Sequence, residues 1–231
     1  ELQHLQGSVT VRYDERGVPH IRAENETDLY RTLGYVQAQD RLFQMEAMRR
    51  LARGELAEIL GPKLIDTDKL FRSLRIRERA ESYVAALDRQ SPAWKALEAY
   101  LDGINQYQDT HAAPMEFDVL GIHKRPFTAE DSISVAGYMA YSFAAAFRTE
   151  PLLTFVRDQL GVEYLSVFEL DWQPKGVLAK TRTPGPALAA GDWKDLNALA
   201  RLSEQALADN GLPQFEGSNA WAISGNRTKS G

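Results

Sequence analysis

The 231-residue chain carries 27 basic and 32 acidic residues, a formal net charge of -5 and no cysteine. Disulfides, thiolate catalysis and cysteine metal sites are therefore excluded from it, and its interspersed charges form no basic stripe able to neutralise phosphates, so nucleic acid is not an expected partner. A hydrophobic fraction of 44% supports a globular core, and no segment is apolar for long enough to cross a bilayer, so no membrane insertion is expected.

Ser8 to Tyr13 reads as a strand with Val9 and Val11 on one face. Glu15-Arg16-Gly17 reads as a turn, and Val18 to Ala23 as returning extended chain. Asn25 is placed to cap the next helix, with Asp28 at its third position. From Leu29 to Ala52 the apolar residues Leu33, Val36, Leu42, Met45, Met48 and Leu51 recur every three or four positions, a helical period that Gly54 ends. Glu55 to Leu60 reads as a short helix closed by Gly61-Pro62. Thr67 to about Leu87 reads as one strongly charged helix with a solvated face. Ser91-Pro92 starts a helix that runs to about Tyr107.

His111 to Arg125 has no clean period and reads as a long connection. Thr128 and Asp131 form a capping box for a helix that is apolar over Ile133 to Phe147 and is expected to be buried on most sides. Glu150 sits where that helix should break, and Pro151 should open another, ended by Gly161. Thr181 to Gly191, with Pro184, Gly185 and Pro186, reads as a linker, and a final helix is expected from Asp195 to about Ala208. Asn219 to Ser224 is strand-like, and a lone terminal strand needs partners that this mostly helical sequence hardly supplies, so the chain is expected to be a piece of a longer protein.

Several of these segments resemble the penicillin acylase family of N-terminal nucleophile hydrolases. Val11-Arg12-Tyr13-Asp14 through Gly17-Val18-Pro19-His20-Ile21 is similar to the start of that family's small subunit. Gly34-Tyr35, then Ala38-Gln39-Asp40-Arg41-Leu42-Phe43-Gln44-Met45, resembles its signature helix, and Arg49-Arg50, Gly54, Leu56-Ala57-Glu58 and Gly61 continue the pattern. Gly217-Ser218-Asn219-Ala220-Trp221 resembles the junction where the large subunit begins. The resemblance implies an α+β chain, mostly helical with a short N-terminal hairpin, that forms part of a four-layer αββα fold. It implies a small-subunit domain over residues 1–180, a spacer over 181–217 and the start of the large subunit over 218–231. The large subunit, cut from the same precursor, is the implied partner, and an N-acyl small molecule the implied substrate. The chain opens on Glu1, which either a removed signal peptide or an imposed start explains; a periplasmic or secreted protein is expected.

The same resemblance makes Ser218 the expected nucleophile. A serine hydroxyl needs a nearby base. A free α-amine, with a pKa of about 7.7–8.0, supplies one once Ser218 is first in its chain. The hydroxyl is also suited to attack the carbonyl of Gly217 and so to make the cut itself. The substrate would be a linear amide, with aromatic-side-chain penicillins and acyl-homoserine lactones as the two leading classes. A helical binding protein or an inactive structural homologue is the alternative from a different class.

Met139 and Phe143, one turn apart, read first as core. In the family the corresponding helix lines the acyl-side pocket, which makes Phe143, Met139 and Phe147 expected substrate contacts. Ser142 stands where penicillin G-type members carry an arginine. Glu150 corresponds to a family ligand of a structural calcium; no organic cofactor is implied. Asp40 and Arg41 read as scaffold, in a buried ion pair. His20, His111 and His123 show no metal-ligand spacing and no evident acid partner.

Overall fold

A computed structural model describes residues 2–161 together with Ala198, Arg201 and Leu202; over 145–151 it describes the backbone alone. The chain opens with an antiparallel hairpin of β1 (Val9–Tyr13) and β2 (Pro19–Ala23), in the register Val9 to Ala23, Val11 to Ile21 and Tyr13 to Pro19. Asp14 builds the turn: its Oδ1 accepts from the amides of Arg16 and Val18, each at 2.9 Å. Gly17 supplies the left-handed position at φ 75°.

Helix α1 (Glu26–Arg53) begins at Asn25, whose side chain accepts from the Asp28 amide, and ends at Gly54 in the left-handed conformation. Its backbone departs from helical geometry at Arg41. Short α2 (Ala57–Leu60) leads through a 3-10 turn at Pro62–Leu64 into α3 (Ile65–Ser73) and α4 (Ile76–Ala86). The single helix expected over Thr67 to Leu87 is thus two, separated by Arg75 at φ 56°. Side chains that a helical wheel assigns to solvent explain the break. Asp68 is buried and accepts from the amides of Leu56 and Ala57 at 2.8 Å. Arg72 donates to the Gly54 carbonyl at 2.6 Å. Those contacts pin α3 to the end of α1, and the chain has to turn before α4 can pack along α7 (Ala129–Phe143).

Helix α5 (Pro92–Thr110) is capped by Ser91 and lies against α1 along most of its length. The two backbones touch. A Cβ at Gly34 would stand 2.0 Å from the Tyr100 carbonyl oxygen, and one at Gly103 1.8 Å from that of Arg31. The connection expected over His111 to Arg125 contains α6 (Met115–Leu120), which buries Phe117. One core lies between α1, α5 and the start of α7, around Leu42, Ile104, Phe117 and Phe127. A second gathers Leu51, Leu56, Leu70, Phe71 and Tyr138.

Helix α7 ends at Phe143, and α8 (Ala145–Gln159) follows after Ala144. The expected break at Glu150 is displaced to Ala144, and α8 runs through both Glu150 and Pro151. Glu150 therefore lies inside a helix rather than at the start of one. Leu33, the first residue of the apolar period read for α1, is 40% exposed.

Candidate functional site

Helix α7 carries two of the expected substrate contacts, and its first turn is fixed by charge. Thr128 Oγ1 accepts from the Asp131 amide, and Asp131 Oδ2 accepts from the Thr128 amide, which completes the expected capping box. The same Asp131 carboxylate receives Arg49 at 3.2 Å and Arg53 at 3.1 Å. Glu46 accepts from Arg49 Nε and Arg50 Nε, each at 2.6 Å. Glu55 accepts from Arg53 Nε at 3.1 Å and Arg125 Nη2 at 2.8 Å. Arg49 also donates to the carbonyls of Arg125 and Pro126, each at 3.1 Å.

Burial pushes the Arg49 guanidinium below its ordinary range, against the carboxylates of Glu46 and Asp131, which favour its charge. For Glu55 burial favours the neutral acid, but hydrogen bonds from Arg125 and Arg53 outweigh it and hold the carboxyl below its ordinary range. These groups tie α1 to the start of α7. Sequence reading missed the network. Its signal is Glu46 three and four positions before Arg49 and Arg50, on a helix otherwise read for apolar period.

Beyond its first turn α7 is two-faced, not buried on most sides as expected. Ser134, Tyr138 and Ser142 form a buried stripe. Tyr138 meets the Phe71 ring edge-on at 5.5 Å. Ser142 donates to the Met139 carbonyl at 2.8 Å, so this hydroxyl is turned back onto the helix. About a quarter-turn around the axis, Met139 is 43% and Phe143 51% exposed. Met139 and Phe143 are thus brought to one outward face at the end of α7. Phe147 and Glu150 fall where only the backbone of α8 is described, and Gly217 and Ser218 lie outside the described residues.

Two cavities border α7. One of about 410 Å³ lies between α1, α5 and α7, with Met45, Met48, Ile104, Phe127 and Val135 in its lining and Arg41 beside them. The other, about 800 Å³, lies between α4 and α7, lined by Ile76, Tyr83, Ile133 and Gly137 among others. Neither is lined by Met139 or Phe143. Asp40 and Arg41 are both exposed, so the buried ion pair expected there is absent; among the described residues, buried pairs join Glu46, Arg49, Arg50 and Asp131 instead. His20 does have an acid partner, Asp14 at 3.2 Å, on the exposed hairpin. Among the described residues no three or more histidine, aspartate or glutamate side chains converge to hold a metal ion, and no helix is long and apolar enough to cross a membrane.

A family model described as penicillin amidase matches residues 8–231. Over 132 residues the chain is 41% identical to penicillin acylase 2 proenzyme of Pseudomonas sp. strain SE83, covering 57% of this chain and 17% of that protein. It is 28% identical over 244 residues to acyl-homoserine lactone acylase QuiP of Pseudomonas aeruginosa, covering 100% of this chain and 27% of that protein. The matched stretches therefore span only about a sixth to a quarter of the length of these curated relatives. Among solved structures, a thermostable penicillin G acylase from Alcaligenes faecalis superposes with a TM-score of 0.55 at 29% identity, over 79% of this chain and 100% of that one.

Proposed function

Because the chain belongs to the penicillin amidase family, we propose that it forms the small-subunit part and the nucleophile junction of an enzyme that hydrolyses the amide of an N-acyl substrate. One observation carries the reading. The family match covers residues 8–231 and so spans the Gly217–Ser218 junction, well past the end of α8 at Gln159. In this proposal Ser218 Oγ attacks the Gly217 carbonyl carbon, its proton passing to solvent or a neighbouring base. The Gly217–Ser218 C–N bond breaks, and an ester remains on Ser218. Water opens the ester and frees the Ser218 amine. That amine then accepts the hydroxyl proton when Ser218 attacks a substrate amide, directly or through one water. The acyl-enzyme is hydrolysed to a carboxylic acid, and the amine leaves first.

Met139 and Phe143 would form part of the acyl-side wall with Phe147, and the large subunit would close it. Their exposure on the described chain supports this, since side chains that meet substrate or partner subunit have no reason to be buried by the small subunit alone. The large subunit would also supply the oxyanion donors, most of the four-layer αββα sheets and most oxygen ligands of a structural calcium. Glu150 would donate one ligand; the described residues hold no acidic cluster that could bind calcium without that help. The enzyme would act in the periplasm or outside the cell.

Expression of the full-length protein with Ser218→Ala tests the central claim. Processing and hydrolysis should both be lost, and cleavage at Gly217–Ser218 in that variant would overturn it. Calcium is tested separately by metal analysis before and after chelation. The substrate remains divided between two classes for a specific reason. The acyl-homoserine lactone acylase match covers the whole chain at lower identity, while the penicillin acylase match is closer over a shorter stretch. Release of an aromatic acetate from a penicillin, or of a fatty acid from an acyl-homoserine lactone, separates them.

A further inference from the structure

Leu202 lies in the stretch, 181–217, that the family resemblance assigns to the spacer, yet it is part of the folded body. It is helical, as are Ala198 and Arg201, and it is half-buried. It packs against the second core, the cluster that contains Phe71 and Tyr138. Its neighbour Arg201 is exposed. The sequence around it has a helical period: Leu196, Leu199 and Leu202 recur every third position, with the polar Asn197, Arg201 and Glu204 interleaved between them.

We infer that the helical stretch around Ala198–Leu202 is a resident part of the small subunit, and that any upstream cut releasing a spacer falls after Leu202, within 203–217. The inference rests on the processing proposed above and narrows it. A protease needs a chain that opens locally into its active site, and a helical segment anchored on a packed core, as Leu202 is, opens rarely. Removing it would also uncover apolar surface on the second core.

Two measurements on the full-length protein test this. Intact mass of the mature small subunit should place its C-terminus at residue 203 or beyond; a C-terminus at Leu202 or earlier overturns the inference, even if Ser218 is found as a new N-terminus. In the Ser218→Ala precursor, L202C and R201C are labelled with a maleimide, the modified peptides being located by mass. This chain has no cysteine of its own to compete. The thiol at 202 should react at least tenfold more slowly than that at 201; equal rates overturn the docking. If no processing occurs in the unmodified protein, the proposed function fails, and the labelling ratio still decides where Leu202 sits.

Discussion

The guanidinium of Arg49 stands 3.9 Å over the centre of the Phe127 ring. That contact joins the C-terminal end of α1 to the residue just before the α7 cap, and the same guanidinium is bonded to Glu46 and Asp131. Arg49 is only 1% exposed, and Glu46 is fully buried. Replacing Arg49 with Met keeps the volume but leaves two buried carboxylates short of a partner. Breaking a buried pair from one side costs about 3–5 kcal/mol. Arg49→Met in the full-length protein should lose stability on that scale in urea unfolding, and Arg49→Lys should recover only part, because lysine lacks the planar fork and stacks less well on Phe127. An unchanged midpoint for Arg49→Met would show that the network contributes little.

Gly103 is fixed by contact, not by backbone conformation. Its φ is not positive, but an added Cβ would meet the Arg31 carbonyl oxygen at 1.8 Å. Gly103→Ala should force α1 and α5 apart and cost at least about 1–3 kcal/mol, the range for overpacking. Thermal unfolding reads the loss. Gly121→Ala has open space around its Cβ but a φ of 66°, so it should cost only the left-handed penalty of about 1–2 kcal/mol.

The N-terminal segment should detach in acid. Asp28 Oδ2 accepts from the amides of Gln6 and Gly7, each at 2.9 Å. Burial favours its neutral form, but hydrogen bonds from Asn25 and those two amides, with the charge of Arg31, hold its carboxyl below the ordinary range. A carboxyl depressed by folding contributes stability that is present above its unfolded pKa, about 3.9, and that is lost as pH falls through the lower folded value. Asp102, depressed against its own burial by Arg31, Gln106 and His4, acts in the same direction. Hydrogen exchange at Gln6 and Gly7 should therefore accelerate below about pH 4 relative to the α1 core. In Asp28→Asn that acid-induced change should be much smaller.

Phe143 is placed to touch an acyl group without holding up the small subunit. Phe143→Ala should leave thermal stability nearly unchanged. Losing a buried aromatic contact of at least about 1.5 kcal/mol should lower kcat/KM for an aromatic acyl substrate roughly tenfold or more. Tyr138→Ala, which empties a fully buried position against Phe71, should do the reverse and damage folding first. Equal effects of the two on stability would remove Phe143 from the substrate wall.

Local chemistry was legible in the sequence wherever a few adjacent residues decide the outcome. The hairpin, the Asn25, Ser91 and Thr128 caps, the Gly54 stop and the apolar seam of α1 all depend on side chains within four positions of one another. The family was legible too, through ordered motifs from Val11 to Trp221. Other features depend on groups far apart in the chain, and only the tertiary structure decided them. Asp68 reaches back to the amides of Leu56 and Ala57, and so an unbroken charged helix becomes α3 and α4. Asp131 serves its own cap and also Arg49, more than eighty positions away, which turns charges that read as surface into a buried tie. Which side of α7 faces outward was likewise set by Phe71 and its neighbours, since an apolar run has no direction until something packs against it.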